Sequence, residues 1–247
     1  MHDELDVDNG WLKADTFVDF QNAVRTDIGF RGDSYIQWNQ TVLPHLRQLG
    51  TAEFTNLVDY LLSGTYFSDE VHELEQVLSE GGSAWTVIRW KEDGARLSKR
   101  VPDGVQAAVG PVLSATDTAS KKLQEAWLDA YGPDPRASVA FAHAVVAVEA
   151  AVLSVIPVPA AEPTLASVFS ILEADAPKWR LVLRDSERNP GAKTVAAMLR
   201  SLWRGHESRH GRPDYADATL EEARAAVILA ASLVQWFTSG AVKPVEA

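Results

Sequence analysis

The sequence predicts a mainly α-helical protein, a helical bundle with one small two-stranded β-hairpin in its N-terminal part. Apolar residues recur at helical spacing along most of the 247 residues, which is the pattern of helices that bury one face. The period changes to two around residues 85–101, where strands are expected. With 46% hydrophobic residues, the chain has enough apolar side chains for a large core.

The first eighty residues contain three predicted helices. Asp15 to Arg25 carries its apolar side chains on one stripe, whereas Pro44 limits any helix around it. Thr51 to Leu62 and Glu70 to Leu78 repeat apolar residues at spacings of three and four, and Gly81-Gly82 ends the second of them. These segments predict amphipathic helices that pack on a common core.

The predicted hairpin consists of Trp85 to Trp90 and Ala95 to Val101. The intervening Asp93-Gly94 pair is typical of a type I′ hairpin turn. Because two strands are marginally stable alone, we expect the hairpin to pack on helices. Its aromatic side chains are interpreted as packing groups, since a base-stacking platform needs more strands.

The second half of the chain reads as a succession of helices. Thr219, with Glu221 and Glu222 behind it, is a strong N-terminal signature for the last one. A brief extended piece is expected at Trp179 to Leu183. The predicted helices span residues 104–113, 115–131, 134 or 135 to about 156, 164–174, 194–203 and 219–237. We therefore divide the chain into an N-terminal helical module with the hairpin, residues 1–103, and a helical domain, residues 104–247.

Composition bounds the compartment and the partners. The formal net charge is −11 and there is no cysteine, which fits a reducing compartment and argues against sequence-blind coating of nucleic acid. The first ten residues contain four acids and no apolar core, unlike a signal peptide. The most apolar run, Ala137 to Ala161, contains His143 and Glu149, which favours a buried helix over a membrane span. We expect a soluble, cytoplasmic protein without membrane contact.

A local basic cluster stands out against this acidic background. Within thirteen positions the chain places four arginines and two histidines against one acid, Glu207; they are Arg200, Arg204, His206, Arg209, His210 and Arg212. Arginine is a permanent planar cation suited to phosphate oxygens, and histidine exchanges protons near neutrality. Such a set could bind and cleave a phosphodiester.

A structural interpretation of the same cluster stays open. Cations near a helix C-terminus interact favourably with the exposed carbonyls. Gly205 or Gly211 would then be the left-handed cap, and Pro213 the stop beyond it. This accounts for two arginines and both glycines, but it leaves two histidines and a further arginine beyond the cap.

Four segments follow one another in the second half of the chain: Ala137 to Leu153, which contains Ala-Val-Glu149-Ala-Ala; Pro163-Thr-Leu-Ala-Ser-Val-Phe-Ser-Ile-Leu172; Val195 to Gly211, with arginine and then His-Gly after an apolar helix; and Glu222 to Phe237. Together, in this order, they resemble the abortive-infection C-terminal domain of the HEPN superfamily. The hairpin module before them looks like the small N-terminal modules fused to such domains. The family usually shows Arg-Asn before its His-Gly, whereas Arg204 is followed by Gly205.

The resemblance implies a HEPN-like bundle with a role in abortive infection, that is, antiviral (anti-phage) defence. Active members are metal-independent ribonucleases whose arginine and histidine face each other across a dimer cleft, and many relatives are inert adaptors. Two hypotheses follow for this chain: a homodimeric ribonuclease that takes RNA, or a non-catalytic helical module that docks a partner.

The ribonuclease hypothesis assigns roles within the cluster. His210 is the general base or acid and Arg204 the phosphate clamp, while His206 competes with His210 for the proton-transfer role. Arg209 and Arg200 assist. Arg212, like Arg200, is a predicted substrate-binding residue. Residues six apart lie about 120° apart around a helix, so His210 is expected beyond the helix end.

Glu149 completes the set of predicted catalytic residues. It lies among apolar neighbours, so its carboxylate is expected to be partly buried and to need a partner. An arginine of the cluster is the expected partner, either as a core ion pair or in orienting Arg204 or a histidine. His143 is interpreted as a hydrogen-bonded core histidine.

No metal and no cofactor are predicted, because no third ligand accompanies His206 and His210 and no glycine-rich phosphate loop is present. A homodimer is predicted on the C-terminal helices, since residues 223–237 are apolar nearly all round. Burial inside one subunit would satisfy the same pattern.

Overall fold

A computed structural model describes residues 5–6, 11–32, 35–64, 69–91, 94–174, 178–183, 186, 190–205 and 216–245. The protein is mainly helical, as predicted. It divides into two compact units, Met1–Lys99 and Arg100–Ala247. The division follows Lys99, whereas the sequence placed it after residue 103, because the connecting residues before the next helix were assigned to the first module.

The first part of unit 1 contains three helices and a small sheet. Strands β1 (Leu5–Asp6), β2 (Trp11–Lys13) and β3 (Tyr35–Gln37) pair antiparallel in that order. Helix α1 (Asp15–Val24) follows β2, a π-helical turn (Trp38–Val42) leads into the short α2 (Leu43–Leu46), and α3 (Thr51–Ser63) comes next. Their core contains Phe17, Phe20, Ile28, Phe30, Val42 and Leu57. Pro44 lies in the first turn of α2, where its missing N–H costs nothing.

The second part of unit 1 packs the predicted hairpin on two helices. Helix α4 (Asp69–Glu80) precedes strands β4 (Trp85–Trp90) and β5 (Gly94–Lys99), which pair antiparallel. Asp59 of α3 is 7% exposed and accepts from the Arg96 guanidinium and from the Leu97 N–H at 2.7 Å. The hairpin is thus fixed to α3 by a satisfied carboxylate, as buried charges require.

The hairpin turn differs from the expected one. Gly94 pairs with Trp90 inside the ladder, so Asp93-Gly94 is not the central pair of a two-residue turn. Lys91 adopts φ 55°, in the left-handed region, and residues 92–93 lie outside the described residues. The sequence therefore predicted the strands correctly and the turn incorrectly.

Unit 2 consists of six described helices and one pair of short strands. The helices are α5 (Asp103–Leu113), α6 (Thr118–Tyr131), α7 (Ala137–Val155), α8 (Leu165–Ala174), α9 (Gly191–Gly205) and α10 (Leu220–Thr238). Strands β6 (Trp179–Leu181) and β7 (Val242–Pro244) pair antiparallel. Helix α7 packs against α6, α8 and α10 and buries eight residues, among them Val148 and Val152, at the centre of the unit.

The expectation of a single hairpin was wrong. Among the described residues two further antiparallel sheets occur, β1-β2-β3 and β6-β7, in addition to β4-β5. Their strands have two or three residues each, which is too short for an alternating pattern to show. Strand β6 matches the expected extended piece, and its partner β7 lies about sixty residues further along the chain, so no local pattern announces their pairing.

Helix α10 is satisfied within its own unit. Its buried residues include Val227, Leu233, Val234 and Phe237, and it packs against α5, α6, α7 and α9. The apolar residues that lie nearly all round this helix were the basis for predicting a homodimer. Burial inside one subunit therefore explains most of them. The dimer itself stays a prediction.

Within the described residues, one helix, α7, is long and apolar enough to cross a membrane. Of its most apolar window, 44% is buried inside the protein. The core helix of a soluble protein passes the same test, so this helix is weak evidence for a membrane span.

Candidate functional site

Helix α9 presents Arg204 to solvent. Val195, Ala196, Leu199 and Leu202 are buried, at the spacing of one helix face, so the opposite side of the helix points outward. Arg204 is exposed in the last turn of α9. None of the ion pairs found between described residues includes it.

Arg200, one turn earlier, is held by its own unit. Its Nη2 donates to Glu173 Oε1 of α8 at 2.5 Å, and its guanidinium lies 4.8 Å from the centre of the Phe169 ring. Its side chain is 33% exposed. Arg200 therefore ties α9 to α8, and its charge is balanced by an acid of the same chain.

The remaining cluster residues, His206, Arg209, His210 and Arg212, lie outside the described residues. The chain is described again from Ala216, next to the start of α7. Ser138 Oγ of α7 donates to Asp217 Oδ1 at 3.0 Å and accepts from the Ala218 N–H at 3.1 Å. The described residues on either side of the basic segment are thus the end of α9 and residues 216–218, of which Asp217 and Ala218 bond to Ser138.

Glu149 has a different partner from the one expected. Its Oε2 accepts from the backbone N–H of Leu165, the first residue of α8, at 2.6 Å. A carboxylate at a helix N-terminus satisfies a free N–H and interacts favourably with the helix dipole. Glu149 is half-buried, as predicted, but between described residues its observed role is to cap α8 rather than to pair with an arginine.

A second polar group in unit 2 centres on Asp129, which the sequence did not single out. Asp129 is 6% exposed. Its Oδ1 accepts from Arg136 Nε at 2.9 Å and Nη2 at 2.5 Å, and its Oδ2 lies 2.9 Å from His143 Nδ1. The expectation that His143 is hydrogen-bonded is therefore confirmed.

The other ring nitrogen of His143 faces a second acid of α6. Nε2 lies 3.6 Å from Glu125 Oε2, and Glu125 is paired with Lys122 at 2.7 Å. Glu125 and Asp129 are four residues apart and share a face of α6. A carboxylate that orients an imidazole beside an arginine can support proton transfer, but these contacts equally clamp α6 to α7. The i, i+4 acids opposite a histidine on the next helix were the sequence signal for this group.

One pattern bears on the prediction that no metal is bound. Residues 206–210 read His-Glu-Ser-Arg-His, which has the His-Glu-x-x-His spacing of zinc metalloproteases and which the prediction from sequence had overlooked. On a helix this spacing places both histidines on one face with the glutamate beside them. All five residues lie outside the described part of the chain. Elsewhere, among the described residues, no group of three or more His, Asp or Glu could hold a metal ion.

Comparison with known proteins gives no assignment: no family model matches the chain, no curated protein matches it, and no solved structure matches it. The resemblance to the HEPN superfamily therefore rests on the residues quoted for it. The class that the fold itself defines is a mainly helical protein of two units, the second of them a helical bundle with small antiparallel strands.

Proposed function

We propose that this protein binds RNA through Arg204 and the basic segment that follows it, in the abortive-infection role that the resemblance implies. The observation that carries the proposal is the exposure of Arg204 on the outward face of α9. An arginine there is accessible to a phosphate, and the next six positions add three more basic side chains: His206, Arg209 and His210.

The charge distribution favours a local phosphate site over broad nucleic-acid binding. The chain carries a net charge of −11, so its mean field repels RNA and attraction must come from the cluster. Within the cluster, Arg200 is already paired with Glu173. Arg204 is therefore assigned the principal phosphate contact among the described residues, and Arg200 a supporting role in holding α9.

In its catalytic form the proposal assigns metal-independent cleavage of RNA. His210 takes the proton of the ribose 2′-hydroxyl, the 2′-oxygen attacks phosphorus, and Arg204 stabilises the charge on the phosphorane. The 5′-oxygen leaves with a proton from water or from a second histidine. The products are a 2′,3′-cyclic phosphate and a 5′-hydroxyl end.

A non-catalytic binding or adaptor module is the second candidate, and one observation favours it. Two of the three predicted site residues that the structure describes are engaged in structural contacts: Arg200 with Glu173, and Glu149 with the Leu165 N–H. An adaptor whose basic segment docks RNA or a partner needs Arg204 but no proton-transfer groups.

Binding and cleavage are measured separately on the full chain. Arg204→Ala should weaken RNA binding. It should also reduce the slope of log K against log salt concentration by about one, the value for one lost phosphate contact. Lys193→Ala removes the same charge from an exposed position at the other end of α9 and should leave both quantities near wild type. Equal effects of the two substitutions would contradict the proposal.

The cleavage arm is run with and without a chelator, together with measurement of bound zinc. His210→Ala should abolish metal-independent cleavage while RNA binding persists. If the wild type binds RNA without cutting it, the adaptor form holds. Stoichiometric zinc with chelator-sensitive activity would replace the proposal by a metal-dependent one built on His206 and His210.

A further inference from the structure

Helix α7 has a second apolar face that the described part of the chain covers only in part. Its buried half packs into unit 2, but five further apolar residues lie within an arc of about 80° on the opposite side: Val139, Ala142, Val146, Ala150 and Leu153. Val146 is 43% exposed, and the other four are half-buried. The outward face of a helix in a soluble protein is normally polar. These five residues, here called the α7 stripe, are apolar and gain nothing from contact with water.

The contacts of the neighbouring helices define the edges of the α7 stripe. On one edge His143 contacts Asp129 of α6. On the other edge Glu149 contacts the first residue of α8. The stripe therefore lies between the α6 and α8 contacts, and its centre is Val146.

We propose that the α7 stripe is the docking surface for a second copy of this chain, with the two α7 helices antiparallel and related by a two-fold axis at Val146. The stripe is self-complementary about that residue. Val139 and Leu153 lie seven residues to either side, and Ala142 and Ala150 lie four residues to either side. A two-fold axis places each Val139 against the Leu153 of the other copy and brings the alanines together, and their small side chains let the helices approach closely.

The charges at the ends of α7 fit the same arrangement. No basic residue lies in the last turn of α7, so the terminal carbonyls have no cation from their own turn. Arg136 directly precedes the helix, and its side chain is 59% exposed. It stands roughly 15 Å from Val146 along the axis, and Val155 stands roughly 14 Å away in the other direction. In the antiparallel pair, Arg136 of each copy, whose Nε and Nη2 are bonded to its own Asp129, lies level with the C-terminal end of α7 in the other, where a cation is favourable.

Other occupants fit the α7 stripe less well. Its five residues include no cation and no aromatic ring, so it offers RNA neither phosphate contacts nor stacking. Helices that lie on membranes carry Lys and Arg along their polar face, whereas the stripe is flanked by His143 and Glu149 in a chain of net charge −11. A second copy supplies the matching face that is already present in the sequence.

The first test is the oligomeric state of the full chain by sedimentation over a range of micromolar concentrations. Wild type should be dimeric. Val146→Glu should weaken the dimer more than about 100-fold, because two like charges meet at the axis. Val77→Glu makes the same change at a valine of α4 that is 65% exposed and should leave the dimer intact. A monomeric wild type, or a dimer that tolerates Val146→Glu, would overturn the proposal.

The second test does not depend on a destabilising charge. The chain contains no cysteine, so Val146→Cys introduces a single thiol at the axis and should form a disulfide-linked dimer on mild oxidation, faster than Val77→Cys does. Equal rates would contradict the proposal, as would flotation of a monomeric wild type with phosphatidylglycerol vesicles. RNA binding is measured separately on the same samples. A loss of RNA binding would count against the proposed function, whereas only the oligomeric state tests the proposed dimer.

Discussion

At the scale of single residues, the Glu149 carboxylate of one helix accepts a hydrogen bond from the N-terminus of another. Its Oε2 accepts the first N–H of α8 from α7, sixteen residues earlier. The contact satisfies the first N–H of α8, which has no partner inside its own helix, and it fixes where α8 begins relative to α7.

We therefore expect Glu149→Ala to destabilise the protein by about 0.5–2 kcal/mol, the range of a lost N-cap, and not by the larger amount that follows the breaking of a buried ion pair. Glu149→Gln keeps an acceptor oxygen and should retain most of the stability. Denaturant unfolding measures both, and exposed Glu162→Ala is the control. A Gln variant as unstable as the Ala variant would refute the capping role.

The capping box of α10 gives a pH-dependent contribution to stability. The Thr219 N–H and then the Thr219 hydroxyl donate to Glu222 and hold the pKa of its carboxyl below the ordinary value of 4.5. Because the folded pKa is lower than the unfolded one, the stabilisation is complete above pH 4.5 and is lost as the pH falls through the folded pKa.

The melting temperatures of wild type and Glu222→Gln should accordingly differ near pH 6 and converge toward about pH 3. Glu221→Gln alters the neighbouring exposed residue outside the box and should show a smaller convergence. A constant difference between wild type and Glu222→Gln across this range would rule out the linkage.

At the scale of elements, the α6–α7 pair is held by one buried carboxylate. Asp129 receives two hydrogen bonds from Arg136 and lies 2.9 Å from His143 Nδ1, and α6 and α7 also pack directly against each other. Arg136 and His143 are partly solvated, with side chains 59% and 29% exposed, so water can relieve part of any loss.

Asp129→Ala should cost about 2–3 kcal/mol, the size of lost hydrogen bonds to charged groups. Glu125→Ala, one turn earlier on the same face and 36% exposed, should cost under about 1 kcal/mol. Chemical denaturation of the two variants compares them directly. Equal losses would mean that Asp129 is not the centre of the clamp.

At the scale of the whole molecule, each unit has a core of its own. The apolar clusters around Phe20 and around Leu97 are built entirely from residues of unit 1, and α7 is the centre of unit 2. Since each core is formed within one stretch of chain, the units should fold separately.

Residues 100–247 expressed alone should therefore give a helical circular dichroism spectrum and a cooperative thermal transition. Residues 104–247, which begin inside α5 at the boundary predicted from sequence, should be less stable because Asp103 and the Pro102 N-cap are missing. A fragment 100–247 without a cooperative transition would contradict the division.

The local signals in the sequence determined the helices, the β4–β5 hairpin and the start of α10. Apolar spacing and capping chemistry act within a few residues, so Thr219 and Glu222 could be recognised as a cap before any packing was known, and their capping box is present. The same locality explains the predicted end of α4 at Gly81-Gly82, where Gly82 takes φ 63°.

Tertiary structure decided the partners. Whether Glu149 meets an arginine or the N–H of Leu165, and whether Arg200 meets phosphate or Glu173, depends on which helices pack side by side. The strand pairing of β6 with β7 likewise depends on contacts across about sixty residues. The sequence determines the chemistry of each side chain, but the burial of the whole core selects its long-range neighbours. That selection placed Arg200 and Glu149 in contacts within the chain and left Arg204 exposed.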